Sequence, residues 1–514
     1  MAKPPTSKLV SESILSAHRG AMFPIEILTI IFYMAIESYD QHYTPNMEAI
    51  LLEEARTIRA TSQVCQLWRD VSLSCHRIWG TILNVDSSST FWISELLRRS
   101  GSAPLSIFST PSNCRSLESQ KWKLIFAQTH RFRKLDITVR NRDIHALLSI
   151  FRQPAPLLES LTLKYNQDNG CYRSVDATIS LPKGLFAGVT PKLRTFTLEK
   201  VLFRWFPADQ VAQNIVRLDL SLSQKDIASF SPDYRSSAKM VLPNLQELVV
   251  TGTGRCSPFL SFLAIPSSCM TTLSFTQDDP DPAMTDDPLL WVEDYLRGWQ
   301  VRQPPIYSWY LSTTQDGAFA FHAGTEGNPL DRPQFVLEYN GGDTSRIRLL
   351  YLVEFLLRES VLHESAVMRL DLQAGLYFSR GLGERLSALL SQCARLETIT
   401  LFGRSIENIM VPFLTKYPQA TAHLRHLIID GPYPASFSSI FSLKAMLRQY
   451  ALQPLKKGGE KLQKITFCID DSRKYKCLKK GIADLARVVN YIPLQPRVVR
   501  RGELTPRGWW SLGP

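Results

Sequence analysis

Residues 64–79 read VCQLWRDVSLSCHRIW and gather side chains suited to chemistry: two thiols (Cys65, Cys75), an imidazole (His76) and two indoles (Trp68, Trp79). Thiolate and imidazole are good zinc ligands, but structural sites pair them roughly two to four residues apart. Cys65, Cys75 and His76 do not have that spacing, and redox exchange would call for CxxC, which occurs nowhere among the nine cysteines. An odd, scattered set of cysteines reads as reduced thiols of the cytoplasm or nucleus. The stretch is therefore read as a packing device. Cys65 falls at a helical core position as a small hydrophobe, with Trp68 and Trp79 as large apolar anchors. Elsewhere there is no GxxxxGK[ST] loop, HExxH or GxSxG elbow. HESAV at 363–367 lacks a second histidine, and GLGER at 381–385 is too short for a dinucleotide fingerprint. The expectation is a non-enzyme without metal or cofactor.

Two helices must position these residues. MFPIEILTIIFYMAI, 22–36, is too short for a bilayer span of roughly 20 residues and contains Glu26, so it is read as a soluble helix and no membrane association is expected. Pro24 suits a first helical turn, and Glu26 favours the positive end of the helix dipole. Projected at about 100° per residue, Ile25, Leu28, Phe32 and Ile36 fall on one side and Ile27, Ile30, Ile31 and Met34 on the other. A helix laid on one core needs a single stripe; two stripes call for two covers, the domain's own core and either more core or a partner. A polar loop, 38–50, separates it from a second helical stretch, about 48–73, with a slip near 59–63. SCHRIWGTILNV then reads as a turn leading into a short strand.

The order FPIEIL, VCQLWRDVS, HRIWGTI resembles the F-box domain, in particular the F-box-like proteins abundant in fungi. Phe23, Pro24, Glu26, Ile27 and Leu28 match the first motif, Val64, Cys65, Trp68 and Arg69 the second, and Ile78 and Trp79 the third. FWISELLRRSGSAPLSI, 91–107, is similar to the segment that follows. Phe23 stands where leucine is usual. The resemblance implies that 21–83 docks a Skp-type adaptor, and through it a cullin–RING ubiquitin ligase. The implied adaptor-binding residues are those eleven together with Ile25, Ile31 and Phe32.

Beyond residue 100 a short alternating strand recurs, mostly at spacings in the twenties or thirties: FRKLDITV (132–139), PLLESLTL, PKLRTFTL, IVRLDL, PNLQELVV, MTTLSF, VMRLDL, ARLETITL, HLRHLII and KLQKITF (461–467). Plausible helices intervene at 142–153 and 384–393. The pattern is similar to an irregular leucine-rich-repeat array, in which one-faced strands stack into a continuous core; a non-repeating α/β domain is the alternative. The pattern breaks over 276–365, where an acidic Pro-rich loop precedes a helix with Asp287 as N-cap and Pro288 at its first position. Three strands, YSWYLST, AFAFHAGT and QFVLEYN, follow, read as a β-rich insertion or atypical repeats; their aromatics are read as core, with a recognition surface as the alternative.

The expected fold class is α/β: a 1–20 tail, a helical F-box at 21–83, an array over 84–275 and 366–470 around a β-rich insertion at 276–365, and a basic cap and tail at 471–514. Net charge is +12, and residues 451–514 hold fourteen Lys and Arg against five Asp and Glu. A basic end with Trp509 and Trp510 can attract nucleic acid, a reading that ranks below a solvated tail. The functional expectation is the substrate-recognition subunit of an SCF-type ubiquitin ligase, in the cytoplasm or nucleus, with the array holding an unidentified protein substrate. A repeat-based scaffold outside any ligase, or a nucleic-acid-associated protein, stays open.

Overall fold

In the computed structural model the described residues are 23–37, 56–57, 59–81, 83–85, 88–109, 117, 119–140, 143–166, 179–181, 185–203, 213–222, 239–253, 257–266, 268–276, 288–302, 304–314, 318–325, 333–340, 342–372, 380–402, 424–430, 464–469 and 488–493. The expected tail at 1–20, the 38–50 loop, the 277–287 loop with Asp287 and the Trp509–Trp510 end lie outside them. The protein is mixed α/β and divides into two compact units, Met1–Ile215 and Val216–Pro514.

The first unit opens with helices α1 (Ile25–Glu37), α2 (Gln66–Ser74), α3 (His76–Thr81) and α4 (Thr90–Ser100), with strand β1 (Leu83–Asn84) between the last two. Strands β2 (Leu105–Phe108), β3 (Phe132–Val139), β4 (Ser160–Tyr165) and β6 (Thr195–Glu199) follow, with helices α5 (Gln120–Phe126) and α6 (Ile144–Ile150) and a separate parallel pair, β5 (Ile179–Leu181) with β7 (Val201–Phe203). β1, β2, β3, β4 and β6 pair in parallel in that order. Parallel neighbours need a crossover connection, and α5 and α6 fill two of them. Alternation decides the faces: Leu161 and Leu163 of β4, and Phe196 and Leu198 of β6, are buried while the residues between them on β6 stay part-exposed.

The second unit contains β8 (Arg217–Leu222), β9 (Met240–Val241), β10 (Glu247–Thr253), α7 (Ser257–Phe262), β11 (Leu263–Ala264), β12 (Met270–Thr276), α8 (Pro288–Arg302), β13 (Ser308–Thr313), β14 (Phe319–Gly324), β15 (Phe335–Asn340), α9 (Gly342–Arg358), β16 (Val367–Leu372), α10 (Arg380–Gln392), β17 (Thr398–Phe402), β18 (His426–Asp430), β19 (Lys464–Ile469) and β20 (Val488–Pro493). β8, β10 and β12 run parallel in sequence order, as do β16 to β20. All ten recurring segments seen in the sequence contain a strand of these sheets. The break in the pattern has a definite form. β12 pairs in parallel with β15, β15 and β13 flank β14 antiparallel, and β13 pairs in parallel with β16. The three strands of the insertion thus enter the sheet in reverse order, and because two reversals cancel, the parallel direction resumes beyond them. Trp309, Phe321 and Phe335 are fully buried and belong to the core, whereas Tyr307, just before β13, is exposed. Pro288 stands at the first position of α8.

The second helical stretch breaks beside the slip expected near 59–63: helix at 59–61 gives way to a turn, and the next helix, α2, starts only at Gln66. One helical reading needs correction. The HRIW segment is not a turn but the six-residue helix α3, with Cys75 as the break between α2 and α3.

Candidate docking surface

α1 packs on α2 and α3, and α3 on α4. Leu28 and Phe32, each 1% exposed, point into this unit, and Phe32 meets Trp68 edge-to-face at 5.3 Å. Ile78 and Trp79 are fully buried below them. The Trp79 Nε1–H donates to the Ser72 carbonyl at 2.7 Å, which satisfies the one polar atom of a buried indole, and the Arg99 guanidinium lies 4.5 Å from the Trp79 ring centroid. Arg99 is itself held by Glu95 (2.7 Å), which also pairs with Arg98. Hydrogen bonds from Arg98 and then Arg99 hold the Glu95 carboxyl down at about 2. α4 is capped by Ser89, whose hydroxyl accepts from the Trp92 N–H, and ends at Gly101 with φ +51, where a side chain would be strained.

The thiol and imidazole groups that first suggested a metal are separately engaged. Cys75 Sγ donates to the Tyr33 hydroxyl at 3.2 Å, and His76 Nδ1 lies 2.7 Å from the Arg99 carbonyl, which can only accept, so Nδ1 carries the proton. Cys65 is exposed and extended (φ −157, ψ 174), preceding α2 rather than lying inside a helix. This corrects its assignment to a core position: the chain breaks its helix there, so the periodicity on either side does not carry through.

The opposite side of α1 faces water. Met34 is 68% exposed, Phe23 58% and Ile25 55%, and Ile27, Ile30 and Ile31 are exposed as well. Ile25, on the same side of the helix as Leu28 and Phe32, lies at the first turn and is exposed where they are buried. Val64, Cys65 and Arg69 are also exposed, as are Pro24 and Glu26. The fourteen residues named from the sequence thus separate. Leu28, Phe32, Ile78 and Trp79 build the unit, Trp68 is half-buried between the two roles, and the others are accessible to a partner. Ile30 and Met34 belong with the accessible set, and the 100° projection is the signal that finds them. Six large apolar side chains standing on one short helical segment form the kind of patch that marks an interaction site.

No protein-family model and no curated protein matches the chain. Among the described residues no helix is long and apolar enough to cross a membrane, and no group of three or more His, Cys, Asp or Glu side chains is placed to hold a metal.

Proposed function

We propose that the protein is the substrate-recognition subunit of an SCF-type ubiquitin ligase, with residues 21–83 docking a Skp-type adaptor and the strand-repeat region holding a protein substrate. The observation that carries this reading is the apolar side of α1 standing in water above a helical unit whose own core, from Leu28 to Trp79, is already closed. A helix laid in an apolar groove of a partner removes that surface from water. The ordered succession of parallel strands supports a leucine-rich-repeat-like solenoid over 84–275 and 366–470, interrupted by the antiparallel strands of 276–365 and closed by a cap within 471–514. Such an array gives an extended surface for a partner protein. The protein itself is non-catalytic: it raises the local concentration of substrate lysines near a charged conjugating enzyme supplied by other subunits, in the cytoplasm or nucleus.

Co-purification of the full chain with a Skp-type adaptor and a cullin tests this. The wild type is expected to retain both. Ile31→Asp and Ile27→Asp, on exposed positions, should each cost on the order of 2 kcal/mol of adaptor binding, about 30-fold, with unfolding midpoints unchanged. Failure of the wild type to bind the adaptor, or undiminished binding by both variants, overturns the reading. Adaptor binding without a cullin would point to a scaffold outside the ligase.

A further inference from the structure

The second unit holds a cavity of about 400 Å³ between α8 and the α7–β11 segment, with walls that include Trp291, Trp299 and Ile265. Along α8, Trp291, Tyr295 and Trp299 recur every fourth residue and form an aromatic column. Trp291 stacks on Tyr295 at 5.1 Å and 17°, and Tyr295 meets Trp299 edge-to-face at 6.1 Å. Gly298 lines the same cavity. Its φ is not positive, so the backbone does not require glycine there, and a Cβ on it would meet nothing within 4 Å, so packing does not require it either. Glycine weakens a helix interior; its effect at this position is to leave the cavity open. At the rim stand two exposed groups of opposite charge, Lys239 just before β9 and Asp294 on α8, the latter also paired with Arg297 at 3.0 Å.

We propose that this cavity binds an aromatic side chain of an extended peptide segment of a partner protein. The volume lies in the lower part of the roughly 300–1,000 Å³ typical of ligand sites, more than one aliphatic side chain fills. The ring walls suit an aromatic guest, which extends the column by stacked or edge contacts. The rim suits a peptide backbone, with Lys239 donating to a carbonyl and Asp294 accepting from an N–H. The assignment is independent of adaptor docking, since it concerns another unit of the chain and needs no adaptor in the assay.

The test is binding of N-acetyl-tryptophanamide to the full chain, followed by ligand-observed NMR. Saturable binding is expected, lost in Gly298→Trp, whose indole takes the place of the guest ring, and kept in Gly298→Ala. Thermal melting checks that each variant folds, and Ile265→Trp occupies the cavity from the opposite wall should Gly298→Trp not fold. Indole, which has the ring without the amides, should bind several-fold more weakly, and the double variant Lys239→Met with Asp294→Leu should erase that difference. Absence of binding to the wild type, or binding untouched by the filling variants, overturns the site. Equal binding of N-acetyl-lysinamide overturns the aromatic preference. Indole binding as well as the amide overturns the peptide and leaves a free aromatic molecule as the ligand.

Discussion

The N-terminal helical segment and the β13–β15 region depart from ordinary burial in opposite directions. α1 leaves six apolar side chains in water around it, from Phe23 to Met34. The antiparallel strands take polar groups out of water. His322 in the central strand β14 is 4% exposed, with neither ring nitrogen hydrogen-bonded, and sits edge-to-face with Tyr310 at 5.2 Å. On α8, Glu293 is buried with Oε2 accepting from Arg297 and Arg358 at 3.2 and 3.4 Å. Exposed apolar surface is relieved when a partner covers it; a buried polar group is relieved only inside its own fold. The first departure therefore speaks of association, the second of sensitivity to conditions.

If the exposure of α1 marks an interface, the helical unit closes its own core without a partner. Trp79→Ala tests this most severely: a fully buried indole and its bond to Ser72 are lost, and urea unfolding should show about 3–5 kcal/mol less stability. A small change would mean that the unit is loosely packed and that the exposure of α1 has a different cause. Next in size is the acid response of the second unit. Burial lowers the pKa of His322 from 6.5 to about 4. As pH falls through that window the unfolded chain takes up a proton that the folded chain resists. The stability present above pH 6.5 is thus lost toward pH 4, by up to about 3 kcal/mol. Unfolding at pH 7 and pH 4.5 should show this loss in the wild type and a flatter response in His322→Gln.

Gly80→Ala probes the helical unit more finely. A Cβ there would lie 2.5 Å from the Pro104 carbonyl oxygen, a backbone atom that cannot swing aside, and about 1–3 kcal/mol should be lost. Ile27→Asp completes the series with the smallest effect. On the watery side of α1 it should change stability by no more than about 0.5 kcal/mol while weakening adaptor binding about 30-fold. A large stability loss would show that this side is already covered.

Much of this was readable in the residues. Alternation with period two marked the ten recurring strands and the three of the insertion, because a one-faced strand must place its leucines on every second residue whatever surrounds it; the short strands β5, β7, β9 and β11 carry no such run and were not legible. Two apolar stripes on α1 were legible for the same local reason. Less legible was the run from Arg59 to Trp79. Cys65, Trp68 and Trp79 are all the types a buried helix would carry, yet the chain breaks at Cys65 and again at Cys75, and Cys65 ends in water. The slip in period near 59–63 pointed to the first break but not to its reach as far as Cys65, and nothing in the local pattern marked the second, because the residues on both sides of Cys75 continue to look helical.

By itself the sequence determined the local repeats: which segments become strands, where Pro288 starts a helix, and that α1 carries more apolar surface than one neighbour covers. Only the tertiary structure decided which stripe of α1 is hidden, that Ile25 stays exposed at its first turn, and that β13, β14 and β15 enter their sheet in reverse. The reason is physical. Backbone geometry sets the spacing of side chains from neighbours along the chain, whereas burial and strand order are set by what arrives from far along it.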